Sequence, residues 1–156
     1  MLLVERIRRT PGCVLRGPAG LPVLPHGKTL PRDVEEFFLE CGGALLFVGA
    51  PYPLEIVSPL DFLKANPVIA GVDVPDDPSD DWFIIARNGG QFVTVDCGAS
   101  RNGHCYDSFW DRHAVAGSCP VVARSFSEFL TRILESRGAE LYWLQPKFES
   151  LGDAYD

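Results

Sequence analysis

The stretch DWFIIARNGGQFVTVDC, Asp81 to Cys97, decides the fold. Two runs rich in β-branched and aromatic residues, WFIIA and QFVTVD, flank Asn88-Gly89-Gly90, where positive φ is easily reached, so the segment predicts a β-hairpin. Both runs carry apolar residues on alternate faces. That predicts central strands, covered by helices on at least one side.

Working outward, the preceding stretch LPRDVEEFFLECGGALLF (Leu30 to Phe47) places Leu30, Val34, Phe37, Phe38 and Cys41 at i, i+4, i+7, i+8 and i+11. That is one stripe of an amphipathic helix. Pro31 suits its first turn and Asp33 its positive end. Gly42 is expected to close it in the left-handed conformation, and Ala44 to Val48 to follow as a buried strand. A short strand is expected at Leu54 to Val57. A one- or two-turn helix from Pro59 should follow, capped by Ser58, with Leu60, Phe62 and Leu63 facing the core.

Beyond the hairpin, Gly103 to Trp110 predicts a strand and Val121 to Ala123 an edge strand. SFSEFLTRILESRG then sets Ser125 and Glu128 at capping-box spacing, Phe126, Phe129, Leu130, Ile133 and Leu134 on one face, and Gly138 at the stop. Helices at both ends with strands between them predict an α+β fold, a single domain whose central, mostly antiparallel sheet is packed by helices.

With 156 residues, 46% hydrophobic and 22% charged, the chain has the length and composition of one globular domain. Three regions are expected. Residues 1–29 form a basic N-terminal segment and a Pro/Gly-rich loop, residues 30–138 the domain proper, and residues 139–156 an aromatic tail packed on it. The start, MLLVERIRRT, lacks the apolar run of a signal peptide, and no run of about 18 apolar residues is present, so a cytoplasmic protein without membrane contact is expected.

The formal net charge of −7 is uneven. Residues 1–32 hold six Lys or Arg against Glu5, a balance of +5, which leaves −12 for the rest. Five acids crowd into DVPDDPSDD as Asp73, Asp76, Asp77, Asp80 and Asp81. Such a field repels phosphate backbones and draws basic partners. Asp76, Asp77, Asp80 and Asp81 are therefore the candidate docking surface for a protein partner, although a merely solvated acidic loop would show the same composition.

Chemistry finds little support. Five scattered cysteines, Cys13, Cys41, Cys97, Cys105 and Cys119, contain no Cys-x-x-Cys pair. Cys97, His104, Cys105, His113 and Cys119 match no zinc spacing, so no metal or other cofactor is expected. Cys41 lies on a buried helical stripe, where a thiol is usually inert. No nucleophile elbow, phosphate loop or dinucleotide fingerprint is present, and no catalytic residues are assigned.

Three segments in order resemble the SUKH superfamily, the Smi/Knr-type domain. The matching positions are Leu30, Pro31, Phe37, Gly42 and Gly43; then Trp82, Ile85, Ala86, Gly90 and Asp96; then Ala123, Ser125, Phe126, Phe129 and Leu130. The resemblance runs from about Leu30 to Leu134. Gly90-Gln91 departs from it where a closing Gly-Asp would stand in the turn, and so does the Pro-rich segment before Leu30. It implies an α+β fold without known catalysis and, for most bacterial members, immunity proteins that bind and neutralise polymorphic toxins, many of them nucleases or deaminases. A non-enzymatic module binding a basic, nuclease-like toxin domain is the leading expectation, with the protein a monomer or weak dimer. A regulatory scaffold that binds a host protein or small ligand is the alternative, and a cysteine hydrolase a third. The matched residues Trp82 and Asp96 are expected to serve mainly the structure, Asp96 by holding the turn after its strand.

Overall fold

The computed structural model describes residues 2–156. Seven strands run in chain order: β1 Val14–Leu15, β2 Ala44–Leu46, β3 Leu54–Ile56, β4 Trp82–Asn88, β5 Gln91–Asp96, β6 Cys105–Asp107 and β7 Val121–Ala123. They lie side by side in that same order, each antiparallel to its neighbour, as a seven-stranded meander. Four helices accompany them: α1 Leu3–Arg9, α2 Arg32–Glu40, α3 Ala65–Ile69 and α4 Phe126–Ser136. The α+β expectation holds.

The β4–β5 hairpin is the center of the sheet. Asn88 pairs with Gln91 across the two-residue turn Gly89-Gly90, with Gly89 at φ 58°, and Trp82 pairs with Asp96 at the far end. Because successive strand residues point to opposite faces, Trp82 and Phe83 separate the two layers of the protein. Phe83 stacks on Phe62 at 5.3 Å, which meets Phe38 of α2 edge-on, and Phe37 in turn meets Phe126 of α4. Trp82 points the other way, onto Tyr106, His113 and Tyr155. One face is thus covered by helices and the other by loops and the C-terminal segment.

The helix stripe was legible: Val34, Phe37, Phe38 and Cys41 are buried, and Leu30 packs against the core. The glycine assignment needs correction. Cys41 leaves α2 in an extended conformation, φ −154°, so no left-handed residue closes the helix at Gly42. Gly43 is the residue with positive φ, at 103°. Gly42 serves close approach instead, because a Cβ there would come within 2.3 Å of the Gly17 carbonyl oxygen. The pair is stitched to the Pro-rich loop by Gly42 N–H donating to Arg16 O and Arg16 N–H to Gly43 O, both at 2.9 Å.

Other elements are shorter than the pattern predicted. β2 ends at Leu46, because Phe47 turns to φ 56°, and Leu45 is partly exposed, so this strand is not buried on both faces. The helix expected from Pro59 is a single 3₁₀ turn, Pro59–Asp61, and Ser58 does not cap its backbone. Phe62 takes the core position, while Leu60 is 87% exposed and Leu63 also faces outward. One turn presents only one side to the core, and Phe62 occupies it. β6 stops at Asp107, whose carboxylate accepts the Phe109 N–H at 3.0 Å and bends the chain away.

In α4 the Ser125 hydroxyl accepts the Glu128 N–H at 3.0 Å, while the Glu128 carboxylate pairs with Arg132 at 3.6 Å. Phe126, Phe129, Leu130, Ile133 and Leu134 are buried as expected, and the helix ends through Arg137 at φ 54° and Gly138 at φ 74°.

Candidate partner-binding surface

The four candidate aspartates occupy the segment between α3 and β4, and the structure gives them different surroundings. Asp76 is exposed. Asp77 accepts the Ser79 N–H at 3.0 Å, the Ser79 hydroxyl, and the Tyr155 hydroxyl at 2.7 Å. Asp80 lies between two ammonium groups, Lys28 at 2.8 Å and Lys64 at 2.6 Å, and Asp81 shares Lys28 at 2.7 Å. Lys64 also reaches Asp73 at 3.0 Å. Three of the four carboxylates therefore hold the loop to the body as well as charging it.

The electrostatics follow from this placement. Burial pushes the Asp80 carboxyl up, but Lys28 and Lys64 outweigh it and hold it below the ordinary carboxylate range. Burial likewise acts against Asp77, and the donors Ser79 and Tyr155 prevail to keep its value low. On the other side of these pairs, hydrogen bonds to Asp80 and Asp73 raise Lys64. With two cations set against five aspartates between residues 73 and 81, the segment keeps a negative field after its internal pairing.

Beneath this loop runs a buried polar chain. Asn66 of α3 donates from Nδ2 to the Ser79 hydroxyl at 2.9 Å and meets His113 Nε2 through its carbonyl oxygen at 2.7 Å. Burial keeps His113 neutral, its value pushed down to about 4. Trp82 packs edge-on against His113 at 5.8 Å and Tyr155 at 5.7 Å, and lies tilted on Tyr106 at 4.6 Å. Asp96 accepts the Tyr106 hydroxyl at 2.5 Å and the Gly98 N–H at 2.9 Å. Its carboxyl is raised by burial, against the pull of those two donors. Gly98 in turn leaves room for Asp81, since a Cβ there would stand 2.3 Å from Asp81 Oδ2.

The cysteines are unsuited to nucleophilic work. Cys41, Cys97, Cys105 and Cys119 are buried, and burial raises each thiol above its ordinary value, Cys119 to about 12. Cys41 and Cys119 donate to the carbonyls of Phe37 and Asp107, and among the described residues no thiol is hydrogen-bonded to a histidine. Nor does any group of three His, Cys, Asp or Glu side chains converge among them to hold a metal ion.

Sequence reasoning missed the exposed apolar surface. Leu60, Leu63, Val68, Val72 and Val74 lie open along the segment that leads into the acidic loop, and Trp110 stands 74% exposed in the loop after β6. Their residue types suggest a core, and only the placement of the loops turns them outward.

An antiparallel meander with helices on one face and a loop layer on the other defines a small α+β domain, and the chain belongs to the SMI1 / KNR4 family (SUKH-1), whose model matches residues 25–132. The chain is also similar to Immunity protein YokJ of Bacillus subtilis (strain 168), 44% identical over 156 residues that cover 99% of this chain and 94% of the relative. Among the described residues no helix is long and apolar enough to cross a membrane.

Proposed function

We propose that the protein is a non-enzymatic, cytoplasmic immunity protein that binds and neutralises a cognate toxin. The observation that carries this reading is the 44% identity to a protein named as an immunity protein, sustained across nearly the whole of both chains. Buried, protonated thiols and a histidine committed to Asn66 agree with a binding role. The balance of −12 beyond residue 32 suits a basic, nuclease-like toxin domain better than nucleic acid itself. In this reading Asp76 and the solvent-facing edges of Asp77, Asp80 and Asp81 steer association, residues 30–138 form the family core, and the protein works as a monomer or weak dimer.

The test is co-expression with the toxin encoded beside the gene. Protected growth and a stable complex of the two purified proteins are expected. Killing that continues in the presence of the folded protein would overturn the proposal.

A further inference from the structure

At the turn end of the β4–β5 hairpin the sheet opens into a small cleft of about 190 Å³, lined by Tyr52, Leu54, Val93, Phe109, Leu141 and Trp143. Apolar side chains make up most of that wall, and the volume falls below the ~300–1,000 Å³ of small-molecule sites. It is the size for one large apolar side chain. Trp110 directly follows Phe109 of that wall and is exposed; its backbone N–H donates to Gln91 Oε1 at 3.1 Å, and Gln91 also borders the cleft. An indole exposed one residue along the chain from an apolar cleft is a large apolar surface without a partner in this chain.

The same loop carries charge on its other side. Asp111, which follows Trp110, borders a second hollow together with Asp153 and Asp156 of the C-terminal segment. The only cation lining it, Arg112, is already paired with the buried Asp107 at 2.5 Å. Asp153 accepts backbone N–H groups from Cys119 at 2.9 Å and Gly117 at 3.0 Å, which fix the carboxylate without neutralising it. Among the described residues none of the three acids is paired with a Lys or Arg. The loop after β6 thus carries, in consecutive residues, Phe109 of the apolar cleft, the exposed Trp110 and Asp111 of the acidic hollow. That arrangement is complementary to a basic protein surface that carries one large apolar side chain beside its cationic groups, the apolar side chain serving as the anchor.

We infer that Trp110 and its cleft are the anchor site for a basic protein partner, which seats one large apolar side chain beside Tyr52 and Phe109 and sets Lys or Arg against Asp111, Asp153 and Asp156. The identity of the partner rests on the immunity reading; the location and chemistry of the site rest on the cleft and its charges.

The experiment measures binding of the purified toxin domain encoded beside the gene to the full-length wild-type chain and to Trp110→Ala, Asn88→Trp and Asp111→Lys/Asp156→Lys. Asn88→Trp narrows the cleft from its exposed edge. Unchanged circular dichroism and urea midpoints should accompany all three, since the altered residues face solvent. Trp110→Ala and Asn88→Trp should each weaken binding about thirtyfold. The double charge reversal should slow association about tenfold at low salt. Wild-type affinity in every variant would overturn the site while leaving the immunity reading intact. No binding by the wild type would remove that reading and this inference with it. A concentration-dependent dimer in sedimentation that disappears in Trp110→Ala would assign the cleft to a second copy of the chain and overturn the proposed occupant.

Discussion

The hydroxyl of Tyr155 donates to the carboxylate of Asp77 at 2.7 Å, across 78 residues of chain. This one bond ties the C-terminal segment to the acidic loop and closes the layer over Trp82. Hydrogen bonds to a charged group contribute about 1.5–3 kcal/mol, less where water reaches them, as it does here. Tyr155→Phe should therefore lower stability by about 1–2 kcal/mol in urea unfolding, with unchanged secondary structure. A midpoint equal to wild type would show that the tail is held by its apolar contacts alone.

The acidic loop should divide under mutation according to its internal partners. Asp80→Lys places a third cation between Lys28 and Lys64 and should cost about 2–4 kcal/mol, whereas Asp76→Lys, at an exposed position, should stay within about 0.5 kcal/mol of wild type. Thermal unfolding of the two variants checks this. Equal losses would mean that Asp80 and its lysines form no more than a surface pair.

Acid should destabilise the protein before its carboxylates titrate fully. The folded His113 value is about 4, against an ordinary 6.5. Between those limits the unfolded chain binds a proton that the folded chain refuses, so stability rises with pH across this window and is fully present above it. The contribution is of order 2–3 kcal/mol. His104, also lowered by burial, acts in the same sense, while Asp96, raised by burial, takes up its proton first in the folded state and opposes the loss as the pH falls. Urea titrations from pH 7.5 to 5 should show the slope, and His113→Gln should flatten it. An unaltered slope in that variant would assign the effect elsewhere.

Thiol titration with a disulfide reagent at pH 7 should find one reactive cysteine, the half-buried Cys13, and that one slowly, because burial raises its value too. The other four should appear only on denaturation. A thiol reacting rapidly in the folded state would restore a nucleophilic reading.

Gly43→Ala should be among the most damaging single-methyl additions. The residue sits at φ 103°, and a Cβ would stand 2.6 Å from the Ile56 carbonyl oxygen on the paired strand. A loss of about 2 kcal/mol or more in thermal unfolding is expected. Tolerance would mean that β2 and β3 part at little cost.

Periodicity carried the central elements. The β4–β5 hairpin, the α2 stripe and the α4 face were legible because burial of one face dictates where Phe37, Phe129 and Val93 must fall. It failed at short connections, where one residue wins the core from its neighbours, as Phe62 does from Leu60. α3, five residues long, left too little period to detect.

The candidate surface was legible only as composition. DVPDDPSDD announced negative charge, but which carboxylates face a partner depends on Lys28, Lys64 and Tyr155, brought from 52, 16 and 78 residues away. By itself the sequence determined the α+β class, the hairpin, the helix faces and the acid balance, all consequences of local pattern and total charge. Only the tertiary structure decided that Asp77, Asp80 and Asp81 hold the loop in place, that Gly43 rather than Gly42 takes the positive φ, and that Trp110 stands in water. Those outcomes depend on which distant groups meet, and distance in space is not written in spacing along the chain.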